Sequence, residues 1–88
     1  MPTVWIPSLM RDLTGGADKV EVAGSTMRQV IVHLEDAYPG IKERLCDDDL
    51  IRPNISVVVD GAVIPRNLSE RVNEHSEIHF VPAISGGV

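Results

Sequence analysis

Short apolar stretches alternate with polar turns along the chain, and only one stretch repeats with a helical period. Val4 and Ile6 lie two positions apart, which predicts a strand that buries both and turns Trp5 to the opposite face. The segment 14–17 contains two glycines and indicates a turn. Because residues 19–23 alternate again, the chain is predicted to begin with a β-hairpin.

The one helical stretch follows this hairpin. Its apolar positions recur at spacings of three and four and form a single stripe: Met27, Val30, Ile31, Leu34 and Tyr38. Ser25 or Thr26 is the expected N-cap, because a short hydroxyl side chain can accept a hydrogen bond from the first turn. The pair 39–40, Pro-Gly, ends the helix, and Ile41 with Leu45 predicts a short extra turn over the core.

The second half of the chain predicts a second hairpin and a last strand. The expected elements are a polar loop at 47–54, a strand at 55–59, a turn at 60–61, a short strand at 62–64, one capped turn at 67–72 and a strand at 77–81. In the last strand Ile78 and Phe80 are expected to point inward. His79 and Val81 then project from the opposite face.

This order of elements predicts an α+β fold. One helix of about 14 residues covers only one face of a small sheet. We therefore expect a mixed four- to five-stranded sheet packed on one main helix, the ubiquitin-like β-grasp, with the last strand central beside the first. The predicted limits are a β-grasp domain at 1–81 and an extended, flexible C-terminal tail at 82–88.

Length and charge narrow the classes of function. The chain has 88 residues, 43% of them hydrophobic and 24% charged, which is typical of one small globular domain. Its formal net charge of −5 and its scattered basic residues argue against a nucleic-acid partner. No apolar run is long enough to cross a membrane, and the first residues lack the pattern of a signal peptide, so we expect no membrane partner and a cytoplasmic location.

The side chains that usually carry catalysis form no convincing set. The three histidines, His33, His75 and His79, share no ligand spacing, so neither a metal site nor a cofactor is predicted. The acidic run 47–49 lacks the alternating ligands of a calcium loop. Cys46 precedes three carboxylates, which disfavour its thiolate, and we expect a partly buried thiol near Leu45 instead.

The C-terminal end carries the strongest chemical signal. Gly86 and Gly87 have no Cβ atoms, so this segment can lie extended in a slot too narrow for side chains. A terminal glycine carboxylate is sterically open to activation by ATP as an acyl adenylate, from which sulfur can displace AMP. A glycine pair at the end of a chain is also often nothing more than a frayed terminus.

The chain resembles the MoaD/ThiS class of bacterial sulfur-carrier proteins. The similar stretches are Ile6-Pro7, Thr14 to Gly16, Val30 to Glu35, Tyr38, Gly40-Ile41, Glu43 to Leu45, Asn54-Ile55, Val57 to Val59 and Pro82 to Gly87. Together they span nearly the whole chain in the order of the family. The helical and tail stretches are most similar to the CysO branch, which carries sulfide for cysteine biosynthesis.

The resemblance implies the roles of the tail residues. Gly87 would accept adenylate and sulfur, and Gly86, Ser85 and Ile84 would thread the tail into partner enzymes. The implied partners are a ubiquitin-activating-like adenylyltransferase and a PLP-dependent cysteine synthase, or another sulfur-acceptor enzyme. The protein itself would be a carrier and a substrate, without a catalytic residue or cofactor of its own. Ubiquitin-like folds also tend to dock on partner proteins through a face of the sheet. His79 and Val81 on this face, with Ile84 on the tail, are therefore the candidate docking residues.

One residue departs from the family pattern, because active members end at the glycine pair. Here Val88 follows, so Gly87 is part of an amide. We hypothesise that a JAMM-type zinc metalloprotease cleaves between Gly87 and Val88. The alternatives are an artificial extension and a carrier that has lost its activity.

Three other functions fit the same sequence features. The chain could be the small subunit of a molybdopterin synthase, whose tail enters the active site of a large subunit. It could be a ubiquitin-like protein modifier that is joined to lysines through Gly87, or an adaptor domain with an inert tail. Stable co-purification with a large subunit would indicate the synthase subunit, and hydroxylamine-stable adducts would indicate the modifier. A Gly87→Ala variant that behaves as wild type would indicate the adaptor domain.

Overall fold

A computed structural model describes residues 1–48, 50–65 and 67–82 of the chain. Within them, short strands and two α-helices are joined by turns and loops. The elements are β1 (Thr3–Trp5), β2 (Lys19–Glu21), α1 (Met27–Ala37), α2 (Ile41–Leu45), β3 (Cys46–Asp47), β4 (Leu50–Ile51), β5 (Ile55–Val59), β6 (Ala62–Val63) and β7 (Glu77–Pro82). A 3₁₀ helix, Ser8–Thr14, lies between β1 and β2. None of the described helices is long and apolar enough to cross a membrane.

Five strands form one mixed sheet in the order β2-β1-β7-β5-β6, and β3 pairs with β4. The last strand, β7, runs parallel to β1 and antiparallel to β5. It therefore lies at the centre of the sheet beside the first strand, as the sequence predicted. The α+β, ubiquitin-like β-grasp with a five-stranded sheet is confirmed.

Helix α1 covers the inner face of this sheet because its apolar stripe is continuous. Its four buried side chains, Met27, Val30, Ile31 and Leu34, join one core cluster with those of β1, β5 and β7. Thr26 is the N-cap, since its hydroxyl accepts a hydrogen bond from the amide of Gln29 at 3.3 Å. The side chain of Gln29 in turn accepts a bond from the amide of Ser25 at 2.8 Å, which fixes the start of the helix.

The carboxylate of Glu35 joins the two helices. It accepts hydrogen bonds from the amides of Lys42, at 2.9 Å, and of Gly40 at the start of α2. These backbone donors, that of Lys42 first, hold the pKa of Glu35 below its ordinary value. As predicted, Ile41 and Leu45 are both buried in the short second helix.

Two connections differ from the sequence prediction. The turn between the first two strands is preceded by the 3₁₀ helix, although the two glycines at 15–16 do adopt positive φ angles of 66° and 94°. The polar loop predicted at 47–54 contains the small hairpin of β3 and β4. Both differences arise because Met10 and Ile51 are buried in the core cluster, so the segments that carry them pack against the core.

The capped turn predicted at 67–72 is present, since the side-chain oxygen of Asn67 accepts hydrogen bonds from the amide and the hydroxyl of Ser69 at 3.1 and 2.6 Å. The sequence did not predict that this segment also crosses the start of α1, where the carbonyls of Glu70 and Leu68 accept bonds from the amides of Met27 and Arg28 at 2.9 Å. The first amides of a helix have no partner within the helix. The segment supplies these missing partners while it buries Leu68 and Val72.

Candidate functional site

The central strand β7 carries the base of the predicted tail and presents different side chains on its two faces. Ile78 is fully buried and Phe80 nearly so, whereas Val81 is 40% exposed and His79 is partly exposed on the opposite face. The inward and outward positions therefore agree with the sequence prediction. That His79 and Val81 take part in docking stays a prediction. The strand itself continues through Pro82, which is paired with Ile55.

Strand register places one side chain from every strand of the sheet in a line across its outer face. We call this line the outer row, and it consists of Lys19, Trp5, His79, Val58 and Val63. Residues directly opposite one another on neighbouring strands share a face, so the five side chains are successive neighbours. The row is cationic at the β2 edge and apolar at the β6 edge, where Val63 is 71% exposed.

Two rings stack at the middle of the outer row. The indole of Trp5 and the imidazole of His79 lie 5.3 Å apart between centroids, with an interplanar angle of 6°. The ammonium of Lys19 lies 5.3 Å from the indole centroid, close enough for a cation–π interaction. The indole N–H also donates a hydrogen bond to the carboxylate of Glu77 at 3.2 Å.

Sequence reasoning placed Trp5 on this face but did not include it in a site. The available signal was that Trp5 and His79 both occupy outward positions on strands expected to be neighbours. What the sequence lacks is the register, because a shift by one residue would move each side chain to the other face. The pairing of Trp5 with His79 is thus a result of the tertiary structure.

The first residues of β7 are tied to the β5–β6 turn by a carboxylate. Asp60 accepts hydrogen bonds from the hydroxyl of Ser76 and from the amide of Glu77, both at 2.9 Å. Its own amide donates to the carbonyl of Glu77 at 2.9 Å. Asp60 and Gly61 have φ angles of 51° and 86°, as a tight hairpin turn with two left-handed residues requires.

These contacts also set the charge state of Asp60. The amide of Glu77, and after it the hydroxyl of Ser76, hold the pKa of the Asp60 carboxyl below its ordinary value. Donors that point at a carboxylate stabilise its ionised form. At neutral pH the turn therefore carries a fixed negative charge beside the start of β7.

The remaining chemical candidates are dispersed. His33 contacts the carbonyl of Ala23 through Nδ1, and His79 belongs to the outer row. Within residues 1–48, 50–65 and 67–82, no three His, Cys, Asp or Glu side chains come together as a metal site would require. Cys46 is buried in the same core cluster as Leu45, deeper than the partly buried thiol that the sequence predicted.

Most of the predicted tail lies outside the described residues. Ile84, Ser85, Gly86, Gly87 and Val88 all fall in this segment. Their assigned roles in threading, sulfur acceptance and processing therefore stay predictions. The described residues show the strand from which this segment continues, held between β1 and β5.

Comparison with known proteins places this geometry in a family. The ThiS family profile matches residues 4–87, which includes both glycines of the tail. The sulfur carrier protein CysO of Mycobacterium tuberculosis is 36% identical, with 97% of each chain covered.

Solved structures agree with the sequence comparison. The crystal structure of the Amycolatopsis orientalis BexX/CysO complex contains a chain 31% identical to this one, with a TM-score of 0.90 and coverage of 99% of this chain and 100% of that chain. The crystal structure of M. tuberculosis CysO gives 29% identity, a TM-score of 0.87 and coverage of 96% and 100%. With a family match and a backbone similarity that both extend over almost its whole length, the chain belongs to the ThiS family.

Proposed function

We propose that the protein is a sulfur carrier that delivers sulfur for cysteine biosynthesis or for the synthesis of another sulfur metabolite. The observation that carries this proposal is the family match, which runs through Gly86 and Gly87 and joins the chain to relatives named as sulfur carrier proteins. The fold is compatible with the role, because the tail continues from the central strand β7, which stays paired with β5 as far as Pro82.

The chemistry requires a free carboxylate on Gly87. Hydrolysis of the bond between Gly87 and Val88 would supply it, with a JAMM-type zinc metalloprotease as the proposed enzyme. A ubiquitin-activating-like adenylyltransferase then joins the Gly87 carboxylate oxygen to the α-phosphorus of ATP and releases pyrophosphate. A sulfur nucleophile attacks the acyl carbon and displaces AMP, which leaves a thiocarboxylate.

The carrier contributes presentation and no catalytic group to these steps. A glycine pair lets the end of the chain pass through a passage that side chains would block. The thiocarboxylate sulfur is then available to an acceptor enzyme, for which we propose a PLP-dependent cysteine synthase. The structure of a CysO protein in complex with BexX supports the idea that carriers of this family act by binding protein partners.

A comparison of two chain lengths tests the proposal. A chain that ends at Gly87 and the chain with Val88 are each incubated with the adenylyltransferase, magnesium ATP and sulfide, and their intact masses are measured. We expect the shorter chain to gain the mass that corresponds to exchange of one oxygen for sulfur. The longer chain should gain it only after treatment with the protease.

A variant and two further measurements complete the test. The Gly87→Ala substitution in the shorter chain adds one methyl group at the acceptor and is expected to abolish sulfur loading without affecting folding. Charging of the longer chain directly at Val88 would contradict the proposal. Stable co-purification with a molybdopterin synthase large subunit would indicate a synthase subunit instead. Hydroxylamine-stable adducts on lysines would indicate a protein modifier instead.

A further inference from the structure

The turn between β5 and β6 contains Asp60, the one aspartate of the chain that a glycine follows. Asp60 and Gly61 are both exposed. An aspartate can form a cyclic succinimide with the amide nitrogen of the next residue, and glycine hinders this attack least because it has no Cβ. No asparagine of the chain precedes a glycine. The 60–61 pair is therefore the position where the sequence most favours this reaction.

The reaction needs only the two residues and water. The amide nitrogen of Gly61 attacks Cγ of the protonated Asp60 carboxyl group, a C–N bond forms, and the carboxyl hydroxyl leaves with the amide proton as water. A water molecule then opens the succinimide ring. If it attacks the main-chain carbonyl carbon of Asp60, the bond from that carbon to the Gly61 nitrogen breaks. The chain then continues through Cγ, and the residue is an isoaspartate.

The fold holds the reacting carboxyl group in place. Its two oxygens accept hydrogen bonds from the hydroxyl of Ser76 and from the amide of Glu77, both at 2.9 Å. The amide of Asp60 donates to the carbonyl of Glu77 at 2.9 Å. We call these three bonds the Asp60 latch. Attack on Cγ requires the carboxyl group to turn toward the Gly61 nitrogen, which breaks both side-chain bonds of the latch.

Ser76 is itself fixed by its surroundings. The residue is 1% exposed, and its hydroxyl oxygen accepts a hydrogen bond from the amide of Asn73 at 2.9 Å. The amide of Ser76 donates in return to the carbonyl of Asn73 at 3.1 Å. With its oxygen bonded to Asn73, the hydroxyl directs its proton at Asp60. The Ser76 contact is therefore a built part of the latch.

The latch also keeps the carboxyl group in its less reactive form. The amide of Glu77, and after it the hydroxyl of Ser76, lowers the pKa of Asp60. An ionised carboxylate is a poor electrophile, and the protonated acid is the form that the amide nitrogen attacks. Opening of the latch removes the donors that stabilise the ionised form. It therefore frees the carboxyl group to rotate and favours its protonation.

We propose that Asp60–Gly61 is a site of spontaneous isoaspartate formation whose rate is set by opening of the Asp60 latch. Isoaspartate adds one methylene group to the main chain and moves the free carboxylate onto Cα. The two-residue turn then no longer places a carboxylate against Ser76 and Glu77. One opening event thus becomes a permanent change at the start of β7. The product belongs to the substrate class of methyltransferases that recognise isoaspartate.

A hydroxyl deletion and a matched control test the latch. Wild type, Ser76→Ala and Ser69→Ala are incubated at neutral pH. Isoaspartate at 60–61 is measured by methyl transfer from S-adenosylmethionine with an isoaspartate methyltransferase and by mass spectrometry of the peptide. Ser76→Ala should form it about tenfold or more faster, as expected where a hydrogen bond to a charged group is lost. Ser69→Ala removes a hydroxyl that bonds Asn67 instead, and should keep the wild-type rate.

Urea denaturation of the three proteins separates local from global opening. The acceleration in Ser76→Ala should exceed the increase in its global unfolding constant, because the latch opens without the core. Equal factors would show that the reaction follows global unfolding and would overturn the proposal. A wild-type rate in Ser76→Ala would do the same.

The unfolded chain tests the chemistry itself. In urea above the unfolding midpoint, the wild-type chain should form isoaspartate at 60–61 faster than the folded protein. Asp60→Glu would have to close a six-membered ring and should form no such product. If the unfolded wild-type chain reacts no faster than the folded protein, the latch does not control the site.

Discussion

The two ends of β7 are held very differently. At the first end, Glu77 is opposite Thr3 of β1, and the carboxylate of Asp60 binds both its amide and the hydroxyl of Ser76. At the other end, pairing with β1 stops at His79, while pairing with β5 continues to Pro82. Among the described residues, the last part of β7 therefore has a strand neighbour on one side only.

This difference shows how the first half of β7 can be held rigidly while the end of the strand from which the tail continues stays accessible. Paired backbone and buried side chains fix the first half of β7, since each unmade bond there would leave a polar group without a partner. The second half pairs only with β5 and lies beside an apolar cavity of about 260 Å³, to whose lining Phe80 and Val81 contribute. An enzyme can thus approach the exit of the tail without opening the core.

The largest expected effect comes from the fixed half of the strand. Ile78→Ala removes a fully buried side chain between the sheet and α1 and leaves a cavity. We expect a loss of about 3 kcal/mol in the free energy of unfolding, within the usual cost of such truncations. Urea denaturation followed by circular dichroism measures it. A loss below about 1 kcal/mol would mean that this half of β7 is not held by its packing.

Asp60→Asn tests the anchor at the first end through its dependence on pH. The pKa of Asp60 is lowered in the folded protein, so its ionised form stabilises the fold above the ordinary carboxyl pKa, and this contribution is lost as the pH falls through and below roughly 4. The variant cannot titrate at this position. We expect Asp60→Asn to have a lower Tm than wild type at neutral pH.

That difference in Tm should shrink as the solution is acidified toward the folded-state pKa. Glu35, whose pKa is also lowered, titrates in both proteins and cancels in the comparison. Thermal unfolding measured from neutral to acidic pH gives the two curves. Parallel curves at all pH values would show that the Asp60 charge does not hold the start of β7.

A smaller effect is expected from the stacked rings that join β7 to β1. A double-mutant cycle with Trp5→Ala and His79→Ala should give a coupling energy of about 1 kcal/mol, as measured for aromatic pairs in contact. Urea denaturation of the four proteins supplies the cycle. Additive losses would show that the stack adds nothing to the strand pairing.

The smallest effect is expected at the open end. Val81→Ala shortens a side chain that is 40% exposed, so the free energy of unfolding should change by no more than about 0.5 kcal/mol. Denaturation by urea again provides the measurement. A loss comparable to that of Ile78→Ala would remove the contrast between the two ends of the strand.

Local patterns predicted the elements well where one residue type fixes the geometry. The helix begins after Thr26 because a hydroxyl is present to cap it, and the 60–61 turn forms because Asp and Gly accept positive φ angles. The sequence predicted neither the hairpin within 47–54 nor the crossing of 67–72 over the start of α1. Their form depends on distant partners, such as the amides at the start of α1 that Leu68 and Glu70 satisfy.

The sequence by itself was enough to predict the fold class and the inward and outward positions of β7, and to single out the glycine pair as the chemical signal. All three follow from periodicity and residue type along the chain. Only the tertiary structure decided the Trp5–His79 stack, the bonds of Asp60 to the start of β7 and the apolar cavity beside Phe80. Each of these joins residues that are distant in sequence, and strand register, which no local pattern specifies, sets which of them meet.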